Sequence, residues 1–261
     1  MNTDKRKYDL IFSLGGNCTV ASQLQLRKLR LFSLPFDWVY FENERAIDYL
    51  TEGFSDHFQN LALRENLSKV STNKSHPVTY FDEYSGYFFP NHFKRFLDEE
   101  DTYQSFYETL LRRINRLYQK INESKKVCCI LATAVPISDD KINKFQDKLK
   151  SLFNETQFDI CVVKFNASED SERNVGNILF KNISRNFNLY DFTRTNFDWA
   201  FLDTFSLSPA SSSYEVQPKD ATYEVQPKAA TLRRRGITYK IWKHLYKKLV
   251  KRGVINEYKY R

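Results

Sequence analysis

Cys18 sits in the stretch SLGGNC, after two glycines and an asparagine, and just before a run that reads as a helix. A thiol attacks as thiolate, and a helix N-terminus favours that form because its unpaired N–H groups and dipole stabilise negative charge. Gly15 and Gly16 would let the backbone turn sharply there, and Gly16, Asn17 and the N–H of Cys18 itself could donate to an oxyanion. The same residues admit two other readings. One is a tight turn whose cysteine packs inward as a small hydrophobe. The other is a loop that cradles a phosphate through its amides, although the spacing is neither GxGxxG nor a P-loop.

A nucleophilic thiol needs a base, and the histidines are His57, His76, His92 and His244. His244 belongs to a basic C-terminal segment and His76 precedes Pro77 in a polar stretch, so neither suits a pocket. His57 falls in what looks like a helix-end turn. His92, in YFFPNHF, follows aromatics that could wall a pocket and is the preferred partner.

Two further groups have the types for recognition. Asp37, in Pro35-Phe36-Asp37-Trp38, could touch substrate or the Cys18 helix, or could cap a turn in a packed corner. Arg112 and Arg113 stand near Arg116 at helical spacing, which suits either a clamp for phosphate or carboxylate or a solvated, salt-bridged face.

The remaining cysteines, Cys128, Cys129 and Cys161, lie in apolar runs as small hydrophobes, and their spacings do not suit zinc. No metal and no organic cofactor is implied. The opening segment has no apolar signal core and no run approaches ~18 apolar residues, so a reducing cytoplasm is the expected compartment, with Cys18 a free thiol.

These residues need elements to position them. Lys7 to Ser13 reads as a buried strand and Thr19 to Arg30 as a helix, giving a strand-turn-helix corner. A short helix is expected from Glu44 to Thr51, and a hairpin around VTYFDEYSGYFF within an otherwise irregular, aromatic stretch. Thr102 to Glu123 carries apolar residues at helical spacing and feeds KKVCCILATAV. Asp139 to Phe153 repeats the pattern and feeds FDICVVKFN. Helices alternating with continuous apolar strands predict an α/β fold, a mainly parallel sheet sandwiched by helices.

Residues 1–207 would form this body, and residues 208–231, containing SYEVQPKDA and TYEVQPKAA, an extended linker. In residues 232–261 lysines and arginines face a single acid, Glu257, and Ile241, Trp242, Leu245 and Leu249 share a face. A basic amphipathic helix is expected there. The net charge of +8 is concentrated in it, so it would meet an anionic membrane surface or dock on its own body. Nucleic acid is disfavoured because no recognised binding fold accompanies it.

The stretch SLGGNCTVASQLQLRKLRLFSLPFDWVY resembles the N-terminal signature of a bacterial family of uncharacterised proteins described as papain-like cysteine peptidases. FPNHF resembles that family's histidine segment, LLRRINRL its paired-arginine helix, and NFDWAFL is a weaker echo. The resemblance implies Cys18 as nucleophile, His92 as general base and Asp198 as the residue orienting it, within a thiol-dependent hydrolase or acyl-transfer enzyme of unknown substrate. Members of the family are often found beside genes for surface-polysaccharide assembly. The alternative implied is therefore an accessory protein or transferase in that pathway, peripheral to the inner membrane and contacting a glycan or phosphorylated glycan. A binding module without catalysis is a third expectation.

Overall fold

A computed structural model describes residues 5–16, 18–70, 79–90, 100–184 and 199–209. The expected linker beyond Pro209 and the tail helix lie outside these residues, as do Asn17, His76, His92, Asp198 and His244.

The chain opens with β1 (Arg6–Tyr8) and β2 (Leu10–Ser13), then α1 (Cys18–Leu26), β3 (Tyr40–Phe41) and α2 (Arg45–Gly53). Three short strands follow: β4 (Leu67–Lys69), β5 (Thr79–Asp82) and β6 (Tyr87–Pro90). The second half holds α3 (Glu100–Asn122), β7 (Lys126–Thr133), α4 (Asp139–Leu152), β8 (Gln157–Lys164), β9 (Ser171–Val175), β10 (Ile178–Asn182) and β11 (Phe205–Leu207).

The main sheet has the order β2-β7-β8-β10-β9. The first four strands pair in parallel and β9 closes the edge antiparallel to β10. Both faces are covered, which is why β7 and β8 read as continuous apolar runs. Side chains alternate between the faces with period two. Phe12, Cys129, Leu131, Ile160 and Val162 point into a large core with α2, α3 and α4. Ile11, Cys128, Ile130, Cys161 and Val163 point the other way, against Val20 and Leu24 of α1 and against Trp199, Leu202 and Phe205. The α/β expectation is met in these three layers.

The fold is more mixed than a mainly parallel sheet. A second, wholly antiparallel sheet of order β3-β6-β5-β4 carries the expected hairpin as β5-β6. Beyond it, β1 pairs in parallel with β11. No helix among the described residues is long and apolar enough to cross a membrane.

Helix α1 stops four residues short of the expected Arg30, and its end shows why. Lys28 has φ +57°, the Leu29 N–H donates to the Leu24 carbonyl at 2.8 Å and the Lys28 N–H to that of Gln25 at 3.1 Å. This is a Schellman ending, closed by contact within one apolar cluster between Leu24 and Leu29. α4 starts as its sequence suggests, on Ser138, whose hydroxyl accepts from the Lys141 N–H, with Asp139 and Asp140 in the first turn.

Candidate active site

The corner between β2 and α1 is fixed on three sides. The Leu14 N–H donates to the Ile130 carbonyl at 2.8 Å, the Tyr87 hydroxyl donates to the Leu14 carbonyl at 2.9 Å, and the Gly15 N–H donates to Ser13 Oγ at 3.0 Å. Gly15 and Gly16 have φ of +83° and +80°. A Cβ on Gly16 would lie 2.0 Å from the Ala132 carbonyl oxygen, and one on Gly15 2.9 Å from Val39 Cγ2. Glycine is required at both by conformation and by space. The corner therefore meets the end of β7, at the carboxyl edge of the parallel strands, where α/β proteins usually place their chemistry.

Cys18 opens α1 at this edge and is 5% exposed. Burial pushes its thiol up to about 12, while its own backbone N–H pulls the other way. In this setting the thiol is protonated at neutral pH. Of the histidines, His57 is the one described. It is exposed, sits at φ +57° and stacks on the Tyr118 ring at 4.2 Å.

Asp37 lies beside the corner, since the Phe36 carbonyl approaches the position of a Gly15 Cβ at 3.6 Å. Its Oδ2 accepts from Arg30 Nε at 2.9 Å, Arg30 Nη2 at 2.7 Å and the Leu34 N–H at 2.8 Å. Burial pushes the Asp37 carboxyl up, and Arg30, the Leu34 N–H and Arg113 pull against it. The side chain thus caps the turn at Leu34 and holds Arg30 over the Trp38 ring, 5.6 Å from its centroid.

The α3 arginines approach the same corner. Arg116 Nη1 donates to the Ser33 carbonyl at 3.1 Å, while Arg30 Nη2 donates to Ser33 Oγ at 3.0 Å. Arg113, one turn before Arg116, is half-buried and lies within the field of Asp37, Arg30, Arg112 and Arg116. Arg112 is exposed, with Nη2 3.4 Å from Thr109 Oγ1.

Sequence reasoning missed Arg30 and Tyr87. A carboxylate inside the aromatic stretch PFDW implies a nearby cation, and that signal could have found Arg30. Tyr87 carried no comparable signal, because its hydroxyl serves a carbonyl 73 residues away.

No group of three or more His, Cys, Asp or Glu among the described residues could hold a metal ion. A cavity of about 380 Å³, lined by Arg6, Tyr8, Lys126, Cys128 and Asp159 among others, opens at the amino ends of the strands. It lies at the opposite edge of the sheet from Cys18.

The chain is 30% identical over 181 residues to "Uncharacterized protein R408" of Acanthamoeba polyphaga mimivirus, a match covering 62% of this chain and 80% of that protein. No solved structure matches it. The model of the family described as "Putative papain-like cysteine peptidase (DUF1796)" matches residues 9–168, which span the corner, Asp37, the α3 arginines and the strands beneath them, and the chain belongs to that family.

Proposed function

We propose that this protein is a thiol-dependent hydrolase or acyl-transfer enzyme with Cys18 as nucleophile, His92 as base and Asp198 orienting the base. The observation that carries the reading is the position of Cys18, first residue of α1 at the carboxyl edge of a parallel sheet, in a chain whose family description names a thiol peptidase. Connectivity supports the partners. Tyr87 touches the corner, and His92 stands five positions further along the chain, a span of at most about 18 Å. Trp199, next to Asp198, shares an apolar cluster with Val20 and Leu24 of α1.

Because burial keeps the thiol protonated, its proton must leave as the sulfur attacks. In the proposed step the Cys18 Sγ bonds to the substrate carbonyl carbon and the thiol proton passes to His92. His92 then gives it to the leaving group as that bond breaks, and water or another acceptor releases the acyl group from sulfur. Free N–H groups at the head of α1 would stabilise the oxyanion.

The test is acylation by activated aryl esters and thioesters, read by intact-mass and peptide mass spectrometry. The reading expects one acyl group on Cys18, absent in Cys18→Ala and slowed at least tenfold in His92→Ala. Acylation elsewhere, or none in the wild type, would sink it.

A further inference from the structure

Arg113 carries a charge that the fold answers only in part, through the field of Asp37. A guanidinium stays ionised in proteins, yet this half-buried one makes no hydrogen bond or ion pair among the described residues. Asp37, the carboxylate whose field reaches it, does not supply one. Asp37 already accepts two N–H groups from Arg30 and one from Leu34 on a single oxygen. Ser33 meanwhile holds two of the neighbouring cations in place, Arg116 through its carbonyl and Arg30 through its hydroxyl. Arg30, Arg112 and Arg116 all act on Arg113 as like charges, against the one carboxylate of Asp37. Burial pushes Arg113 below the ordinary arginine range, Asp37 pulls the other way, and the neighbouring cations add to the push, the direction of a charge only partly compensated. Arg116 is pushed the same way, by burial and by Arg112.

We infer that Arg113, with Arg30 and Arg116 held beside it by Ser33 and Asp37, is a binding site for the phosphoryl group of a small soluble ligand. Three guanidinium groups against the one Asp37 carboxylate leave an excess of two positive charges, which suits a phosphate dianion or a diphosphate, whereas a single carboxylate would neutralise only one. Planar guanidinium forks match phosphate oxygens two at a time. The inference does not depend on Cys18 acting as a nucleophile.

The experiment measures binding of inorganic pyrophosphate and of acetate to the full chain by calorimetry, at constant ionic strength, for the wild type, Arg113→Gln, Cys18→Ala and Lys141→Gln. Lys141 is a cation of a different surface, paired with Asp48. Pyrophosphate should bind the wild type at least tenfold more tightly than acetate. Affinity should fall tenfold to a hundredfold in Arg113→Gln, the range expected for one charge-assisted contact, and stay within twofold in Cys18→Ala and Lys141→Gln. The melting temperature of ligand-free Arg113→Gln should equal or exceed that of the wild type, because an only partly compensated cation has been removed. Equal pyrophosphate affinity in the wild type and Arg113→Gln would overturn the inference. So would acetate binding as tightly as pyrophosphate, or a ligand-free Arg113→Gln that is clearly destabilised.

Discussion

A carboxylate taken out of water is costly unless donors converge on it, and Asp37, 2% exposed, has three on one oxygen. Removing it would strand Arg30, whose side chain is 14% exposed, without its counter-charge. Asp37→Ala should therefore lose about 3 kcal/mol of unfolding free energy in urea titrations, the usual cost of breaking a buried pair from one side. A loss below about 1 kcal/mol would show that the pair is solvated. Two charges of this corner differ in kind: Asp37 takes three donors on Oδ2, whereas Arg113 makes no hydrogen bond or ion pair among the described residues. Cys18, Asp37 and the α3 arginines were legible as residues of interest because their types are unusual for their settings. Their division into structural and available groups was not, since it depends on Arg30 and Ser33, whose types are ordinary.

Among the elements, the β2-α1 corner is the most constrained, and its glycines separate conformation from space. Gly16→Ala meets both a left-handed φ and a backbone oxygen 2.0 Å from the new Cβ. Gly176→Ala meets a φ of +56° with nothing within 4 Å. The second substitution should cost about 1 kcal/mol, the price of a left-handed alanine, and the first at least about 3 kcal/mol. Equal costs in parallel denaturation curves would mean that Ala132 yields freely. The long elements were legible because a sustained period of 3.6 or a fully apolar run leaves few alternatives: β7, α4 and β8 fall where expected to within a few residues. The short ones were not. β3 has two residues and β4 three, too few to show alternation, and neither is joined to its partner by a tight turn. β9, Ser-Glu-Arg-Asn-Val, is exposed throughout, so no apolar pattern marks it even though it completes the main sheet.

Over the whole molecule, the two-sided main sheet encloses Cys128, Cys129 and Cys161. Burial raises all three thiols, Cys161 to about 12 and the other two well above their ordinary value. A thiol whose folded pKa exceeds its unfolded value of ~8.5 stabilises the fold fully below that pH and loses the contribution as pH rises through the folded value. Unfolding free energy should therefore fall by only about 1 kcal/mol from pH 7 to 8.5 and by about 6 kcal/mol by pH 10. Constancy between pH 8 and 10 would show that the sheet thiols ionise without unfolding. The same sheet orders the proposed chemistry, since segments anchored by Cys18, Tyr87 and Trp199 come from three distant parts of the sequence. Whether they converge is tested most directly by the pH dependence of Cys18 alkylation with iodoacetamide, in a variant whose other three cysteines are replaced, with and without His92→Ala. The account predicts an inflection in the histidine range near ~6.5, where His92 becomes free to take the thiol proton, and with His92→Ala its loss and a rate at pH 7 at least tenfold lower, as burial holds the thiol near 12. The same slow profile in both proteins, rising without inflection to pH 10, would contradict it and leave Cys18 as a packed residue of the corner.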